Sequence, residues 1–355
     1  MMAVPPALGS APPDRAALGR TFRRYEQTVA EAVTDAFLVR HPDWVVRYGD
    51  RARQAGIEDA RFHVQFLGAA IENDSRPAFR DYVQWTTGVL KARGIDSSFL
   101  WENLRQVQDG FAPYLTTDDG ELITDFVEFA TSRASSHDAK AGTEGPLSLT
   151  RRLFVQAIVS GGRQAALTIA LEALRAGVVV QDLYADVFQD ALYDVGRLWE
   201  TNAITVAQEH MATAVTQYVM AHVFGQIAPP RTTRGVAIMT GVPGEMHHVG
   251  ALMVSDMLEA NGWQVQFLGS NLPIPAVLNA IAEAKPQLLC ISVTMLFNVH
   301  HATRLIAEAK RAAGSIRVVV GGSAFRFGTW RATGADDYAS DVRSAVALLC
   351  PGTSS

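Results

Sequence analysis

Residues 234–250 read RGVAIMTGVPGEMHHVG and decide the fold of the C-terminal part of the chain. The short apolar run that begins at Val236 ends at a turn rich in glycine and proline, which is typical of a buried strand. Helical patterns then alternate with four further strand-like runs, WQVQFLG, LLCISVT, RVVVGG and ADDYAS. Such alternation predicts a parallel sheet of right-handed βαβ units, hence a Rossmann-like domain over 234–350.

In open parallel sheets, ligands bind in the loops that follow the carboxyl ends of the strands. Glu245-Met246-His247-His248-Val249-Gly250 occupies this position after the first predicted strand. A neutral His247 imidazole can donate a nitrogen lone pair to a metal while Glu245 holds its other N–H. A lone loop histidine is also typical of a solvated side chain or a turn hydrogen bond. His248 reads equally well as a residue at the start of a helix.

The rest of the chain reads as helical. Four amphipathic helices over 147–230, broken at Gly161-Gly162, at Gly177 and around Asn202, predict a four-helix bundle that caps the sheet domain. Residues 134–146 lack hydrophobic periodicity and predict a linker. Residues 14–133 carry a helical pattern of about six segments. The predicted fold class is therefore α/β plus all-α.

Composition restricts the function. A net charge of −5 over 355 residues offers no basic surface for nucleic acid, so we expect no direct DNA binding. The N-terminus lacks a signal-peptide pattern, no apolar run approaches a membrane span, and only Cys290 and Cys350 are cysteines, so we expect a soluble protein in a reducing cytoplasm. No Ser-His-Asp order, phosphate-binding loop, carboxylate pair or cysteine cluster indicates an independent catalytic site. We therefore expect no enzyme activity and no membrane partner.

Three groups of residues resemble the motifs of the cobalamin-binding family. They are Glu245-x-His247-x-x-Gly250, Ser292-Val293-Thr294 after the third strand, and Gly321-Gly322 after the fourth. The resemblance implies that His247 replaces the benzimidazole of the cofactor as the lower axial ligand of cobalt. It also implies that the freed nucleotide tail lies beside the sheet, where a serine hydroxyl can hydrogen-bond it and glycines allow close approach. The glycine pair alone is equally typical of a tight turn.

A second resemblance lies in the predicted bundle, where Trp199 precedes Glu209-His210 with nine residues between Trp199 and Glu209. This spacing resembles the light-sensing cobalamin proteins, in which such a cap covers the upper face of adenosylcobalamin and light breaks the cobalt–carbon bond. The resemblance implies a photoreceptor that changes its domain packing or oligomeric state, forms a homo-oligomer and signals to a downstream protein. Without the resemblance, Trp199 would read as core packing and the Glu-His pair as solvated.

Two departures from the light-sensing family affect the expected function. Glu200 stands where some members carry a second histidine that traps the photoproduct, so a bis-histidine state built on that position is not available. The segment 14–133 also has mixed charge and no evident recognition helix, unlike the basic DNA-binding domain of the best-known members. Output through a protein partner is therefore expected.

The N-terminal helices suit a globin-like fold, although haem is disfavoured because the segment 76–93 contains no histidine. They loosely resemble non-haem globin-like sensor domains, and the whole arrangement resembles the photocobilins, which pair cobalamin with biliverdin. Since no cysteine precedes Cys290, a bilin here would be held non-covalently, with His63, Arg61 and Arg80 as candidate contacts. The alternative is a helical dimerisation domain whose aromatic residues fill its own core.

Two further functions stay open for the whole chain. A corrinoid protein that carries methyl groups for a methyltransferase would share the histidine motif and a similar cap, although the spacing of Trp199 to Glu209-His210 argues against it. The third possibility is an interaction module with a vestigial site, in which removal of the His247 side chain changes nothing in cobalamin-treated protein.

Overall fold

The computed structural model describes residues 13–132, 145–227 and 234–352, which form two compact units. Unit 1 contains the described residues up to Val83 and those from Asp96 to 132. Unit 2 contains Gln84–Ile95 and the described residues from 145 onward. Most of the predicted linker 134–146, and the Pro229-Pro230 pair, lie outside the described residues. The inclusion of Gln84–Ile95 in unit 2 differs from the sequence-based boundary, which placed the whole of 14–133 in one domain.

Unit 1 is helical, as predicted. Its helices begin and end at the bounds α1 Arg15–Arg40, α2 Pro42–Tyr48, α3 Arg51–Glu72, α4 Arg76–Ala92, α5 Ser98–Phe111 and α6 Thr117–Thr131, with α4 running on into unit 2. Aromatic side chains fill its core: Phe22, Phe79, Phe111 and Phe126 are fully buried. The rings of Phe22 and Phe111 stack with centroids 4.2 Å apart. Burial of side chains of this size stabilises a helical domain of this length.

The first part of unit 2 is the predicted helical bundle. Its helices are α7 Ser148–Val159, α8 Arg163–Arg175, the short α9 Val180–Asp182, α10 Asp190–Glu200 and α11 Val206–Phe224. The predicted breaks are confirmed, because Gly161, Gly177 and Asn202 all adopt positive φ between successive helices. The segment Leu183–Gln189 between α9 and α10 is π-helical, which the sequence pattern did not predict.

The second part of unit 2 is the predicted parallel sheet with its helices. The elements are β1 Gly235–Gly241, α12 Val249–Ala260, β2 Trp263–Gly269, α13 Ile274–Ala284, β3 Leu288–Ser292, α14 Val299–Ala313, β4 Arg317–Gly321, β5 Asp337–Ala339 and α15 Val342–Leu349. All strand pairs are parallel. The inner strands are buried on both faces, as their unbroken apolar runs require.

The strand order β2-β1-β3-β4-β5 fixes where a ligand can bind. The connections run outward in opposite directions from β1 and β3, so the loops after these two strands flank a crevice at the carboxyl edge. Gly241, Ser292 and Gly321 lie side by side in register at that edge. The fold therefore brings together three motifs that lie far apart in the sequence.

Candidate functional site

The loop between β1 and α12 carries a carboxylate in an unusual environment. The Glu245 side chain is fully buried, although it belongs to a loop at the sheet edge. Its Oε2 atom accepts hydrogen bonds from the backbone N–H of Thr294 (2.9 Å) and of Met295 (3.1 Å). The side-chain amide of Asn298 donates to the same oxygen over 3.2 Å. Glu245 thus joins the loop after β1 to the loop after β3 across the crevice.

The other oxygen of Glu245 holds His247. Oε1 accepts from the His247 backbone N–H at 3.1 Å and lies 2.6 Å from the ring Nδ1. Because an ionised carboxylate can only accept, Nδ1 carries the proton and Nε2 keeps its lone pair. The His247 side chain is 57% exposed, so the imidazole extends outward while its carboxylate partner is buried. This arrangement presents a basic nitrogen from a fixed position.

The hydrogen bonds also keep Glu245 ionised. Burial alone would raise the pKa of its carboxyl group, but hydrogen bonds from the His247 ring and from the Met295 backbone outweigh burial and hold the pKa below its ordinary value. An ionised carboxylate fixes the tautomer and the ring orientation of the imidazole that it holds.

His248, the neighbour of His247, is used differently. Its Nε2 lies 2.6 Å from the side-chain nitrogen of Gln217 on α11, and its Nδ1 lies 3.2 Å from the Met246 carbonyl oxygen. Both ring nitrogens therefore face groups of the protein itself. His248 connects the loop that carries His247 to the bundle.

The other predicted residues of the sheet edge occupy the same crevice wall but make partly different contacts. Thr294 contributes its backbone, since its N–H donates to Glu245 and its carbonyl oxygen accepts from the Ser323 hydroxyl at 3.0 Å. Gly322 has φ of +101°, and a Cβ atom there would lie 2.2 Å from the Val293 carbonyl oxygen. The need for glycine at 322 thus comes from the packing of two loops. At Gly250, by contrast, an added Cβ would meet nothing within 4 Å.

In the bundle, Trp199 lies in the last turn of α10 and Glu209-His210 in the first turns of α11. Glu209 Oε2 lies 2.7 Å from the His210 Nδ1, and the His210 side chain is 76% exposed. Gln217, the partner of His248, lies on the same helix two turns further on, about 10 Å along the axis. Helix α11 therefore links the Glu-His pair to the loop that carries His247.

Sequence reasoning missed several residues around these positions. Asn298 completes the hydrogen-bond set of Glu245, and Gln217 contacts His248. Trp85, in the part of α4 that belongs to unit 2, and Arg93, directly after that helix, contact Trp199 and Glu200. Asn298 could have been suspected from its place after the third strand. No sequence pattern connects Trp85 to a residue 114 positions later.

The candidate bilin contacts of unit 1 all have partners within that unit. His63 is buried, its Nδ1 lies 2.6 Å from the Tyr82 hydroxyl, and burial lowers its pKa to about 4. Arg61 forms an ion pair with Glu26, and the Arg80 guanidinium lies 4.6 Å from the ring centroid of Phe129. The lowered pKa that results from burial keeps His63 neutral at physiological pH.

Two features are absent from the residues that the structure describes. Residues 13–132, 145–227 and 234–352 contain no group of three or more His, Cys, Asp or Glu side chains arranged to hold a metal ion. Within the same residues no helix is long and apolar enough to cross a membrane.

Comparison with known families gives the class of this site. The B12 binding domain family matches residues 235–347, which are the sheet domain, and a second B12 binding domain family matches residues 150–223, which are the bundle. Both matches lie within unit 2, and the chain is a cobalamin-binding protein.

Individual relatives fall into two groups. The HTH-type transcriptional repressor CarA of Myxococcus xanthus is 28% identical over 34% of this chain, and the chain spans only 41% of CarA. CarH of the same organism, also an HTH-type transcriptional repressor, is 24% identical over 59% of this chain and 72% of its own length. Trimethylamine corrinoid protein 1 of Methanosarcina mazei is 27% identical over 54% of this chain and 92% of its own length.

One solved structure resembles the fold. The monomethylamine corrinoid protein of Methanosarcina barkeri superposes with a TM-score of 0.52 and 24% identity, covering 57% of this chain and 98% of the other. A likeness at this identity concerns the fold, and it agrees with the helical bundle and parallel sheet of unit 2.

The residues present fit a cobalamin. Glu245 has both oxygens committed within the protein, and the imidazole that it holds has one free basic nitrogen in an exposed position. A lower axial cobalt ligand requires such a donor, with its tautomer fixed from behind.

Proposed function

We propose that this protein is a cobalamin-dependent photoreceptor that holds adenosylcobalamin between His247 and the cap residues Trp199, Glu209 and His210. The observation that carries the proposal is the buried Glu245, which fixes His247 with its Nε2 outward at the switch point of a B12 binding domain. The Trp199 and Glu209-His210 motif on the second B12 binding domain supports a light-sensing member of that class.

In this proposal each group of residues has a separate task. His247 supplies the lower ligand, while Ser292, Thr294, Gly250, Gly321 and Gly322 lie where the nucleotide tail would pass. Adenosylcobalamin, when bound, supplies a cobalt–carbon bond that visible light breaks. Trp199 and the Glu209-His210 pair exclude water from the upper face and contact the adenosyl group. Loss of these contacts favours a second arrangement of the bundle against the sheet domain.

We propose that the output is a change of domain packing or oligomeric state that a cytoplasmic protein partner detects, without a catalytic step by this chain. Glu200 stands beside Trp199, so the lit state does not use a second histidine at that position. Biliverdin, bound non-covalently by unit 1, is proposed as a second chromophore. The support for biliverdin is the resemblance of the domain order to that of the photocobilins.

The first experiment reconstitutes the full chain in the dark with adenosylcobalamin, with and without biliverdin, and records absorption before and after green and red light. We expect a retained cobalamin spectrum that converts under light, accompanied by a change in elution volume. His247→Ala should lose the histidine-ligated spectrum, whereas His222→Ala, which removes an exposed histidine of α11, should keep it. Retained cobalamin with no light response would refute the photoreceptor, and no retention would refute cobalamin binding. An added red-absorbing band would establish biliverdin.

A corrinoid methyl carrier is the second candidate. The trimethylamine corrinoid proteins favour it, because the chain covers 92% of the length of one of them at 27% identity. A carrier would bind methylcobalamin at least as well as adenosylcobalamin and would lose the methyl group to a partner methyltransferase. A clear preference for adenosylcobalamin, combined with a light response, would exclude this function.

A further inference from the structure

The second half of α4 lies against the end of α10 in unit 2. The Trp85 indole stacks near that of Trp199, with ring centroids 6.1 Å apart and planes 25° apart. The Trp85 Nε1–H donates a 2.8 Å hydrogen bond to Oε1 of Glu200, the residue next to Trp199. A ring contact and a directional hydrogen bond together fix the orientation of Trp85 relative to the α10 end.

Arg93, two turns after Trp85, holds the same helix end by its charge. Its guanidinium lies 4.9 Å from the centroid of the Trp199 ring. It also donates to the carbonyl oxygens of Trp199 (3.2 Å) and of Glu200 (3.3 Å). A cation over an indole and at the negative end of a helix is stabilising in both respects.

These contacts give a structural reason for a glutamate at position 200. The sequence marks it only as a departure, since it replaces a histidine found in some light-sensing relatives. In the structure its carboxylate is the acceptor for Trp85, while its carbonyl oxygen accepts from Arg93. The side chain at position 200 therefore anchors the second half of α4.

We infer that Trp85, Arg93 and Glu200, here called the Trp199 clamp, are positioning residues that set the place of Trp199 and make the segment 84–95 move with it. The inference deepens the proposed function and rests on it where the cofactor is concerned. Helix α4 is continuous from Arg76 to Ala92, so the clamp holds the second half of a helix whose first half belongs to unit 1.

The first test needs no cofactor. Amide hydrogen exchange of the apo-protein is measured over residues 84–95 and 195–201 for the wild type, Glu200→Leu and Glu200→Gln. Glu200→Leu should raise exchange in both segments about fivefold, the effect of losing one hydrogen bond between partly buried groups. Glu200→Gln keeps an acceptor for Trp85 and should restore the wild-type rate. Trp330→Phe, which changes an indole elsewhere in unit 2, should leave both segments unchanged.

The second test uses adenosylcobalamin and hydroxocobalamin. Because Trp199 would contact the adenosyl group in the proposed function, Trp85→Phe and Glu200→Leu should lower the affinity ratio of adenosylcobalamin to hydroxocobalamin about fivefold, with hydroxocobalamin affinity unchanged. Illumination of the wild-type holo-protein should also change the exchange of 84–95. The clamp is overturned if Glu200→Leu leaves exchange unchanged in both segments of the apo-protein. It is also overturned if the exchange of residues 84–95 stays the same after complete photoconversion. If the wild type does not photoconvert, the photoreceptor proposal fails, and the apo experiment alone decides the clamp.

Discussion

At the scale of single residues, Glu245 makes the hydrogen bonds on which the geometry of the site depends most. Its oxygens accept from two backbone N–H groups after β3, from the Asn298 amide and from His247. All of these partners are hydrogen-bond donors, so the site suits an ionised carboxylate, which accepts hydrogen bonds and has no proton to donate. A neutral amide would bring two N–H groups into this ring of donors.

We therefore predict that Glu245→Gln weakens cobalamin binding about 10–100-fold, the usual effect of changing the partner of a metal-ligating histidine. The apo-protein should also lose about 1–3 kcal/mol of unfolding free energy, because buried donors lose their acceptor. Titration with hydroxocobalamin and chemical denaturation measure the two effects. Glu308→Gln, in an exposed pair with Arg304, serves as the control. Unchanged affinity in Glu245→Gln would show that Glu245 does not support the ligand.

His63 makes a residue-scale prediction in unit 1. Burial lowers its pKa from 6.5 to about 4, so the folded protein keeps the imidazole neutral while the unfolded chain protonates it. Its contribution to stability is present above about pH 6.5 and is lost as the pH falls toward 4. The size is about 3 kcal/mol for a pKa shift from 6.5 to about 4.

Comparison of the wild type with His63→Gln isolates this contribution, because other titrating groups cancel in the difference. Denaturant unfolding followed at pH 7, 6, 5 and 4 should show the wild type losing stability relative to the variant as the pH falls. The glutamine side chain of this variant still offers a polar partner to the Tyr82 hydroxyl. A constant difference across this range would mean that His63 is not titrated on unfolding.

At the scale of elements, the sequence predicted the helices, the bundle breaks and all five strands, since these depend on local patterns. Glu245 and His247 followed from the rule that ligands bind after the strands of a parallel sheet, whereas the glycines followed from the family resemblance, and the binding roles of all these residues stay predictions. Neither the rule nor the resemblance indicated Asn298, Gln217 or Trp85, because the contacts of these residues depend on helices that tertiary packing brings together. The π-helical segment Leu183–Gln189 could not be predicted either, because a hydrophobic pattern with a period of 3.6 residues indicates an α-helix.

Gly322 shows how two loop elements restrict one another. Its φ of +101° and the 2.2 Å separation between the Val293 carbonyl oxygen and an added methyl group make alanine costly in two ways. We predict that Gly322→Ala loses about 3 kcal/mol or more of unfolding free energy. Gly269 has φ of +80° but nothing within 4 Å of an added Cβ, so Gly269→Ala should lose only about 1 kcal/mol. Equal losses in chemical denaturation would show that backbone strain alone explains the glycine.

At the scale of the whole molecule, the connection of bundle to sheet domain within unit 2 decides how a change at the cofactor would spread. The π-helical segment makes one part of this connection, beside the contact between Gln217 and His248. Asp186 pairs with Arg343 and the Gln189 side chain accepts from the Val342 backbone, both at the start of α15. The buried Tyr184 donates a 2.7 Å hydrogen bond to Asp256 of α12. All three side chains thus come from the same π-helical segment.

Asp256 makes this connection sensitive to pH. Burial raises its pKa from 3.8 to about 6, although the hydrogen bond from Tyr184 opposes that rise. The folded state therefore binds a proton more tightly than the unfolded chain, and this contribution to stability is full below about pH 3.8 and is lost as the pH rises through about 6.

We predict that Asp256→Asn, which keeps an acceptor for Tyr184 without the charge, raises the unfolding free energy at pH 7 by about 1–2 kcal/mol after allowance for solvent screening. The gain should disappear below about pH 4, where the wild-type carboxyl is also neutral. Asp336→Asn is the control of opposite sign: burial would raise the Asp336 pKa, but the hydrogen bonds from Lys310 and the Val318 backbone lower it, so this variant should lose stability at pH 7. Chemical denaturation from pH 4 to 7 tests both variants. A destabilised Asp256→Asn at pH 7 would mean that the charge itself holds bundle and sheet domain together.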